Sequence, residues 1–335
     1  MNRHNRLFFI QICLFGLALY AVIYLFTFYL IIEVVKAVHS YLFQERNNQV
    51  VLKEGTTLLD TICSAIDDDC YLVKQTVEKD SSISRSIQSQ KHSENGYYSI
   101  ARVPMKVDEN GNILAQREKI LFRCLAVMAV APYVTDSLTM DKPGRVLSIG
   151  LGGAIIDMFY YTTQPELDIT VVELDGAMVE VAKKWFGVVE DNRRRTIVGD
   201  GVKFVEKSAQ DDDKYDVISL DACNSADKMF QCPALPFYDK EVLKNIRDSL
   251  TDRGILVINV LSFNATAIRT TVKQHFPSCF VVKLPTLNEV VACVKHNFDA
   301  NASEDVEEVI LKKFEVFVEK FGLQNILKDI SFTVF

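Results

Sequence analysis

The sequence predicts an α/β fold built on a mostly parallel sheet of seven strands with an antiparallel last strand. Three observations predict it. From Arg145 onward, short apolar runs alternate with amphipathic helical stretches, the order that gives a parallel sheet with right-handed crossovers. The first apolar run ends in Ser148-Ile-Gly150-Leu-Gly152-Gly153-Ala154 and opens directly into a helix. The last two runs, Cys279–Leu284 and Glu289–Val294, are separated only by Pro285-Thr-Leu-Asn288. That gap is too short for a crossover, so this pair runs antiparallel.

The elements follow in order. Arg145–Gly150, Ile169–Glu173, Thr196–Val198, Tyr215–Asp221 and Ile255–Val260 are apolar runs of the kind that suits strands covered on both faces. Helical spacing connects them at Ala154–Tyr161, Ala177–Phe186, Val202–Lys207 and Lys240–Leu250, and a further helix is expected at Ala265–Phe276. Trp185 and Phe186 are expected to pack the second of these helices onto the sheet. Upstream, Tyr97–Pro104 alternates as a strand. Glu109-Asn110-Gly111 is a hairpin turn, because Asn-Gly tolerates positive φ at both turn positions. Ile113–Gln116 is the returning strand, and Lys119–Ala131 a helix ended near Pro132. Val306–Phe321 and Gln324–Ile330 are expected as closing helices.

The N-terminal third reads differently. Leu7–Ile32 is a 26-residue apolar run, interrupted only by Gln11, Gly16 and Thr27. As a helix at ~1.5 Å per residue it would exceed the ~30 Å hydrocarbon core. It is longer than the ~7–15-residue apolar region of a signal peptide and lacks a small-residue cleavage site. The expectation is an uncleaved signal anchor in a lipid bilayer, with a cleaved signal peptide and a buried helix as the rival readings. Arg3 and Arg6 precede the run, and Glu33 and Lys36 follow it and cancel. The positive-inside rule then expects a single-pass membrane protein with a cytosolic N-terminus and a luminal or extracellular domain. Residues 33–77 show helical spacing (Val34, Val35, Val38, then Leu58, Leu59, Ile62, Ile66), and 78–95 are polar. The expected organisation is a tail (1–6), a transmembrane anchor (7–32), a helical stalk and linker (33–95), a β-hairpin plus helix (96–132), the α/β domain (133–300) and C-terminal helices (301–335).

Composition narrows the function classes. The 335 residues carry 37 Lys+Arg and 44 Asp+Glu, a net charge of −7, which argues against a nucleic-acid partner because phosphate contacts need clustered basic side chains. Cys63/Cys70, Cys223/Cys232 and Cys279/Cys293 are close enough in sequence to pair, leaving Cys124 over, with Cys13 inside the apolar run. None has zinc-site spacing, and the five histidines show no metal or catalytic spacing, so no metal is expected. Asn264-Ala-Thr266 and Asn301-Ala-Ser303 are glycosylation acceptors if the chain is luminal.

The chemistry-bearing residues sit at the ends of successive strands. Glycines after the first strand let the backbone turn sharply and a ligand approach the helix N-terminus. Glu173, at the second strand tip in Val171-Val-Glu173-Leu-Asp175, can accept two hydroxyl hydrogen bonds from a ribose. A dinucleotide fingerprint would require glycine at position 155, which is Ile, disfavouring a nicotinamide or flavin dinucleotide. The third strand is followed by Gly199-Asp200-Gly201, where an acid can bond an adenine amino group or cap the next helix. The fourth ends in Ile218-Ser-Leu-Asp221. Asp221 reads either as a group facing the acceptor or as a loop cap.

These stretches, with Val181-Ala-Lys-Lys-Trp-Phe-Gly187, Met229-Phe-Gln-Cys-Pro-Ala-Leu-Pro-Phe237, Asp252-Arg-Gly-Ile-Leu-Val-Ile-Asn259 and Asn288-Glu-Val-Val-Ala-Cys293, resemble the spermidine-synthase-like S-adenosylmethionine methyltransferases. Within that family the likeness is to the C-terminal domain of the elongation factor one-alpha lysine and N-terminal methyltransferases, over roughly residues 95–295. The resemblance implies a Rossmann-like methyltransferase fold and S-adenosyl-L-methionine as cofactor. It implies that Gly150, Gly152 and Gly153 cradle the methionine part, that Glu173, with Asp175 beside it, holds the ribose, and that Asp200 and Gly201 meet the adenine. Asp221 then stands at the mouth where the acceptor approaches, as the catalytic residue and a cofactor neighbour. The implied activity is methyl transfer to an amine of a protein or small molecule; with the anchor expected from the apolar run, the chain reads as a membrane-anchored methyltransferase, with a homodimer left open. Two departures matter: Ala154 stands where the family has glycine, and Asn224 stands where a second loop acid is expected. They motivate one alternative, a catalytically silent binding module, while Asn224 weakens the other, an aminopropyltransferase.

Overall fold

The computed structural model describes residues 27–28, 30–36, 53–91, 99–224, 232–262, 264–298 and 305–335. It forms two compact units, one of residues 1–52 with 109–111 and one of 53–108 with 112–335. In the first, residues 27–28 and 30–36 are helical, with Lys36 paired to Glu33 at 2.9 Å.

The second unit contains two sheets. The larger is built from β6 (Gly144–Ile149), β7 (Leu167–Glu173), β8 (Arg194–Val198), β9 (Tyr215–Leu220), β10 (Leu250–Val260), β11 (Ser278–Lys283), β12 (Glu289–Val294) and β13 (Ser331–Val334). Their order across the sheet is β13-β11-β12-β10-β9-β6-β7-β8. β8, β7, β6, β9 and β10 run parallel, and β12 is antiparallel to both β10 and β11. The expected strands are all present. The sheet has an eighth, in a stretch whose sequence suggests something else: Gln324–Ile330 is expected as a helix, but the chain turns there and β13 pairs antiparallel with β11, Phe280 opposite Val334. Phe332 stacks on Phe280 at 4.9 Å, so an aromatic cross-strand pair outweighs the weak helical spacing of so short a segment.

Helices cover both faces. α1 (Arg123–Val134), α2 (Ile155–Thr163) and α7 (Val306–Lys320) pack together. Tyr133 of α1 lies 5.3 Å from Phe317 of α7 and 5.2 Å from Phe321. α4 (Gly201–Gln210), α5 (Lys240–Asp248) and α6 (Ala265–Lys273) cover the other face, where Val205, Leu243, Ile246, Ile268 and Val272 close over Leu147, Ile149, Ile218, Leu220 and Ile258. α3 (Gly176–Trp185) follows β7. Four of these helices start on an aspartate whose carboxylate accepts from a first-turn N–H: Asp175 from Ala177, Asp200 from Val202, Asp239 from Glu241 and Asp305 from Glu307, the usual solution for orphan donors at a helix start.

The smaller sheet is a five-stranded antiparallel meander in chain order: β1 (Gly55–Cys63), β2 (Cys70–Val77), β3 (Ile83–Ser89), β4 (Ser99–Val107) and β5 (Ile113–Ala115). The β4–β5 pair is the hairpin expected from the sequence, with Val107 opposite Ile113. The three strands before it replace the expected helical stalk and linker. Leu58, Leu59, Ile62 and Ile66 fit a helical period, yet Thr56, Thr57, Thr61 and Ile62 are β-branched and favour a pleated, half-buried surface. Cys63–Cys70 closes the first hairpin, and all three cysteine pairs expected from spacing are disulfides, with Cys124 free.

The expected membrane span falls mainly on residues 7–26, outside the described residues. Among the described residues no helix is long and apolar enough to cross a membrane. The reading of a single-pass membrane protein with a luminal or extracellular domain is corrected accordingly: an apolar run, a missing cleavage site and the flanking charges carried it, and no spanning helix accompanies it among the described residues.

Candidate functional site

β6 lies between β7 and β9, and the chain leaves their carboxyl ends in opposite directions, β6 into α2 on one face and β9 toward α5 on the other. Such a reversal opens a crevice beyond the strand tips, where α/β sheets bind ligands. The predicted residues stand at these strand tips and at the helix starts that follow them.

The glycine turn is shaped by close approach as much as by conformation. Gly150 has φ +95°, and a Cβ there would lie 2.5 Å from the Asp221 carbonyl oxygen and 2.8 Å from its carbon. Only a residue without a side chain lets these two strand tips meet. Gly152, at φ +49°, faces open space apart from Ile100 at 4.0 Å. Gly153 has a different job: a Cβ there would lie 2.6 Å from Ala101 Cβ, so it seats the turn against β4. Ala154, where glycine was expected, also takes a left-handed conformation (φ 54°), a strain of about 1–2 kcal/mol for a residue with a Cβ.

Glu173 sits across from this turn. Its Oε2 accepts the Leu151 N–H at 2.8 Å and its Oε1 the Asp175 N–H at 2.9 Å. Burial raises its carboxyl above the usual glutamate value, against the pull of those two donors. Asp175 is buried and engaged. Its Oδ1 caps α3 through Ala177 N at 2.9 Å, and its Oδ2 accepts from the Tyr71 hydroxyl at 2.7 Å. Asp200 is exposed and caps α4. Gly201 is buried, and a Cβ there would lie 2.6 Å from Ile149 and 3.2 Å from Phe237, so it packs α4 onto the sheet. Exposed Leu174 and Val198 stand at the tips of β7 and β8 and offer apolar walls to a flat heterocycle.

Asp221 closes the other side. Its N–H donates to Ile149 O at 2.9 Å. Its Oδ1 accepts from Asn259 Nδ2 at 2.8 Å, and Asn259 Oδ1 in turn accepts from Asn288 Nδ2 at 3.0 Å. Burial pushes the Asp221 carboxyl up to about 6, with the Asn259 hydrogen bond opposing. The Cys124 thiol is pushed up to about 12 by burial and by the Asp221 charge, so it stays protonated. Cys223 Sγ lies 3.6 Å from Asp221 Oδ1. Among the described residues, Asp221, Cys223 and Cys232 are a grouping with metal-ligand chemistry. Their two sulfurs are bonded to each other and so are not the thiolates a metal needs.

Residues 127–294 match the spermine/spermidine synthase domain. The chain belongs to that family. Among curated relatives, an eEF1A lysine and N-terminal methyltransferase from Bos taurus is 28% identical over 178 residues, covering 51% of this chain and 26% of the relative. The chain thus spans about a quarter of the length of that relative. Among solved structures, human methyltransferase-like protein 13 in complex with SAH aligns at TM-score 0.50 and 23% identity, over 62% of this chain and 92% of that one. A probable spermidine synthase from Corynebacterium glutamicum aligns at TM-score 0.58 and 15% identity, over 77% and 87%. At these identities the two structures establish the fold: a Rossmann-like methyltransferase α/β fold with a mostly parallel sheet. Neither the fold nor the family match brings a membrane span or a dimer with it.

Sequence reasoning missed three contributors to the crevice. Tyr71 lies 104 positions before its partner Asp175, in a segment with helical spacing. Asn259 and Asn288 sit in motifs that carry only the family resemblance. The signal available was position: Asn259 is a polar residue in the otherwise apolar strand Ile255–Val260, and a polar side chain in a buried strand needs a partner.

The residues fit the implied cofactor. Gly152 offers backbone that faces open space, and Glu173 is an acceptor-only group once ionised, at the tip of the neighbouring strand.

Proposed function

We propose that this chain is an S-adenosyl-L-methionine-dependent methyltransferase that acts on an amine of a protein, of the type its relatives are named for. The observation that carries the reading is the apposition at Gly150, which sets the glycine turn directly against the Asp221 backbone. A cofactor-side element and an acceptor-side carboxylate therefore share one crevice.

When bound, the cofactor supplies an activated methyl carbon, which leaves the protein chiefly to position the partners. Glu173 receives the ribose hydroxyls, held in place by the N–H groups of Leu151 and Asp175. Gly152 leaves room for the methionine part, Gly150 lets the Asp221 backbone close on the turn, and Leu174 and Val198 flank the adenine. Asp200 and Gly201 complete that edge at the start of α4. An amine must be neutral to attack. Asp221, ionised above about pH 6, orients the incoming ammonium and accepts its proton on a carboxylate oxygen, where a base poised near the working pH is most effective.

Calorimetry of the full chain with SAH tests cofactor binding, and radiolabelled methyl transfer to purified eEF1A tests the reaction. Saturable binding that is lost in Glu173→Ala supports the reading. A folded chain that does not bind SAH refutes it. Turnover of decarboxylated cofactor with putrescine, and none with eEF1A, would instead favour aminopropyl transfer; binding without any turnover would favour a silent module.

A further inference from the structure

Asp221 is not the end of its hydrogen-bond chain. Asn259 leaves β10 beside the tip of β9 and is 5% exposed, and Asn288 stands on the turn between β11 and β12. The amide of Asn259 is engaged at both ends. Its NH2 group donates to Asp221 Oδ1 at 2.8 Å, while its oxygen accepts from the Asn288 NH2 group at 3.0 Å. A flipped Asn259 would set its oxygen against the Asp221 carboxylate and two NH2 groups against each other, so neither hydrogen bond would survive. Asn288 thereby locks the orientation in which Asn259 is a donor.

We propose that Asn259 and Asn288 are positioning residues for the acceptor site: through this locked relay they aim the Asp221 carboxylate and hold it ready as a proton acceptor. The inference rests on the reading of Asp221 as the acceptor-side base. Burial favours the protonated acid, and the Asn259 donor favours the carboxylate. The other groups facing Asp221 do not compete. On α1, Cys124 is a neutral thiol over the working range. On the loop after β9, Cys223 is tied to Cys232. Glu289, next to Asn288 on β12, is occupied by Arg269 of α6, 2.5 Å away.

The test follows the Asp221 carboxyl directly, by carbon-13 NMR titration of the full chain labelled at aspartate Cγ. Asp221→Asn identifies the resonance by its loss. The wild-type midpoint is expected near 6. Asn259→Ala removes the donor and should raise the midpoint by about one to two pH units, the effect of one hydrogen bond to a charged group. Asn288→Asp leaves Asn259 in place but demands its NH2 group, which turns the Asn259 oxygen toward Asp221. It should move the midpoint the same way. Asn288→Ala only frees the rotation and should move it less. Because Asn288 is half-buried on a turn, its variants keep the test open if Asn259→Ala fails to fold. Midpoints for Asn259→Ala or Asn288→Asp that superimpose on wild type overturn the relay. If the midpoints move and the acid limb of methyl transfer to eEF1A does not follow, the relay stands and the base role of Asp221 falls.

Discussion

Asp221→Asn should make the protein more stable at neutral pH while removing its proposed base. An aspartate in an unfolded chain titrates near 3.9, whereas burial holds this one at about 6. The folded state therefore binds the proton more tightly than the unfolded state. Its contribution to stability is fully present below about pH 4 and is lost as pH rises through about 6. Two units at ~1.36 kcal/mol each set an upper value of about 3 kcal/mol for the cost of ionising Asp221 at pH 8. Asparagine has the same size and keeps an oxygen to accept from Asn259, so the variant escapes that cost without opening a cavity. For a domain of this size the gain corresponds to a Tm increase of about 6–12 °C. The assay is thermal or urea unfolding of both full chains between pH 5 and 8. The expected result is a gap widest at pH 8 that narrows toward pH 5. A variant no more stable than wild type at pH 8, or a gap that stays constant across the range, would refute the reasoning.

Gly150→Ala and Gly152→Ala should separate sharply, although both glycines have positive φ. At Gly150 the new Cβ meets unyielding backbone at 2.5 Å, so conformational strain and overpacking together cost about 2–6 kcal/mol. At Gly152 the space is open, and only the left-handed strain of about 1–2 kcal/mol remains, partly offset by a stiffer unfolded chain; urea unfolding ranks them. Arg194→Met should cost about 3–5 kcal/mol in the same assay, because it strands Asp157, whose side chain is 3% exposed and bonded to Arg194 at 2.5 Å. Adding Asp157→Leu should recover most of that loss. Tyr71→Phe removes one of the partners of the buried Asp175 carboxylate and should destabilise the fold by about 1–3 kcal/mol. It should also weaken SAH binding measured by calorimetry, since Asp175 N–H braces Glu173.

What could be read from the sequence, and what could not, follows from how far apart the partners lie. β6, β7, β9 and β10 are covered on both faces, so burial writes them as continuous apolar runs. Their glycine and acidic termini are local features, and Glu173 stands at a strand tip as expected. Asp200 is legible as a cap for the same reason, because a cap needs only its next two residues. β1–β3 were not legible. They are half-exposed, with only Val73, Val77, Ile83 and Ile87 as buried aliphatics, and four apolar positions at near-helical spacing outweighed the β-branched threonines. The Asp221–Asn259–Asn288 chain joins three separate strand ends and exists only once the sheet is assembled.

The meander, of which the sequence disclosed only the β4–β5 hairpin, also changes what the site is made of. Ala101 of β4 stops Gly153 from carrying a side chain. Tyr71 of β2 holds Asp175, and Asp60 of β1 accepts from the Trp185 indole at 2.8 Å and from Lys184 at 2.8 Å. Arg85 of β3 donates to the Trp185 carbonyl at 2.9 Å and lies over its ring. The small sheet thus touches the glycine turn and both ends of α3, the helix that starts just past Glu173 on its cap Asp175. Without the meander, each of these places would be left with an unpaired polar group or an uncovered backbone. A buried carboxylate stripped of its donor costs more free energy than its hydrogen bond had supplied. The cofactor side of the crevice is therefore held from two sheets. Its shape depends on the upstream strands of the small sheet as directly as on the strands that carry the motifs.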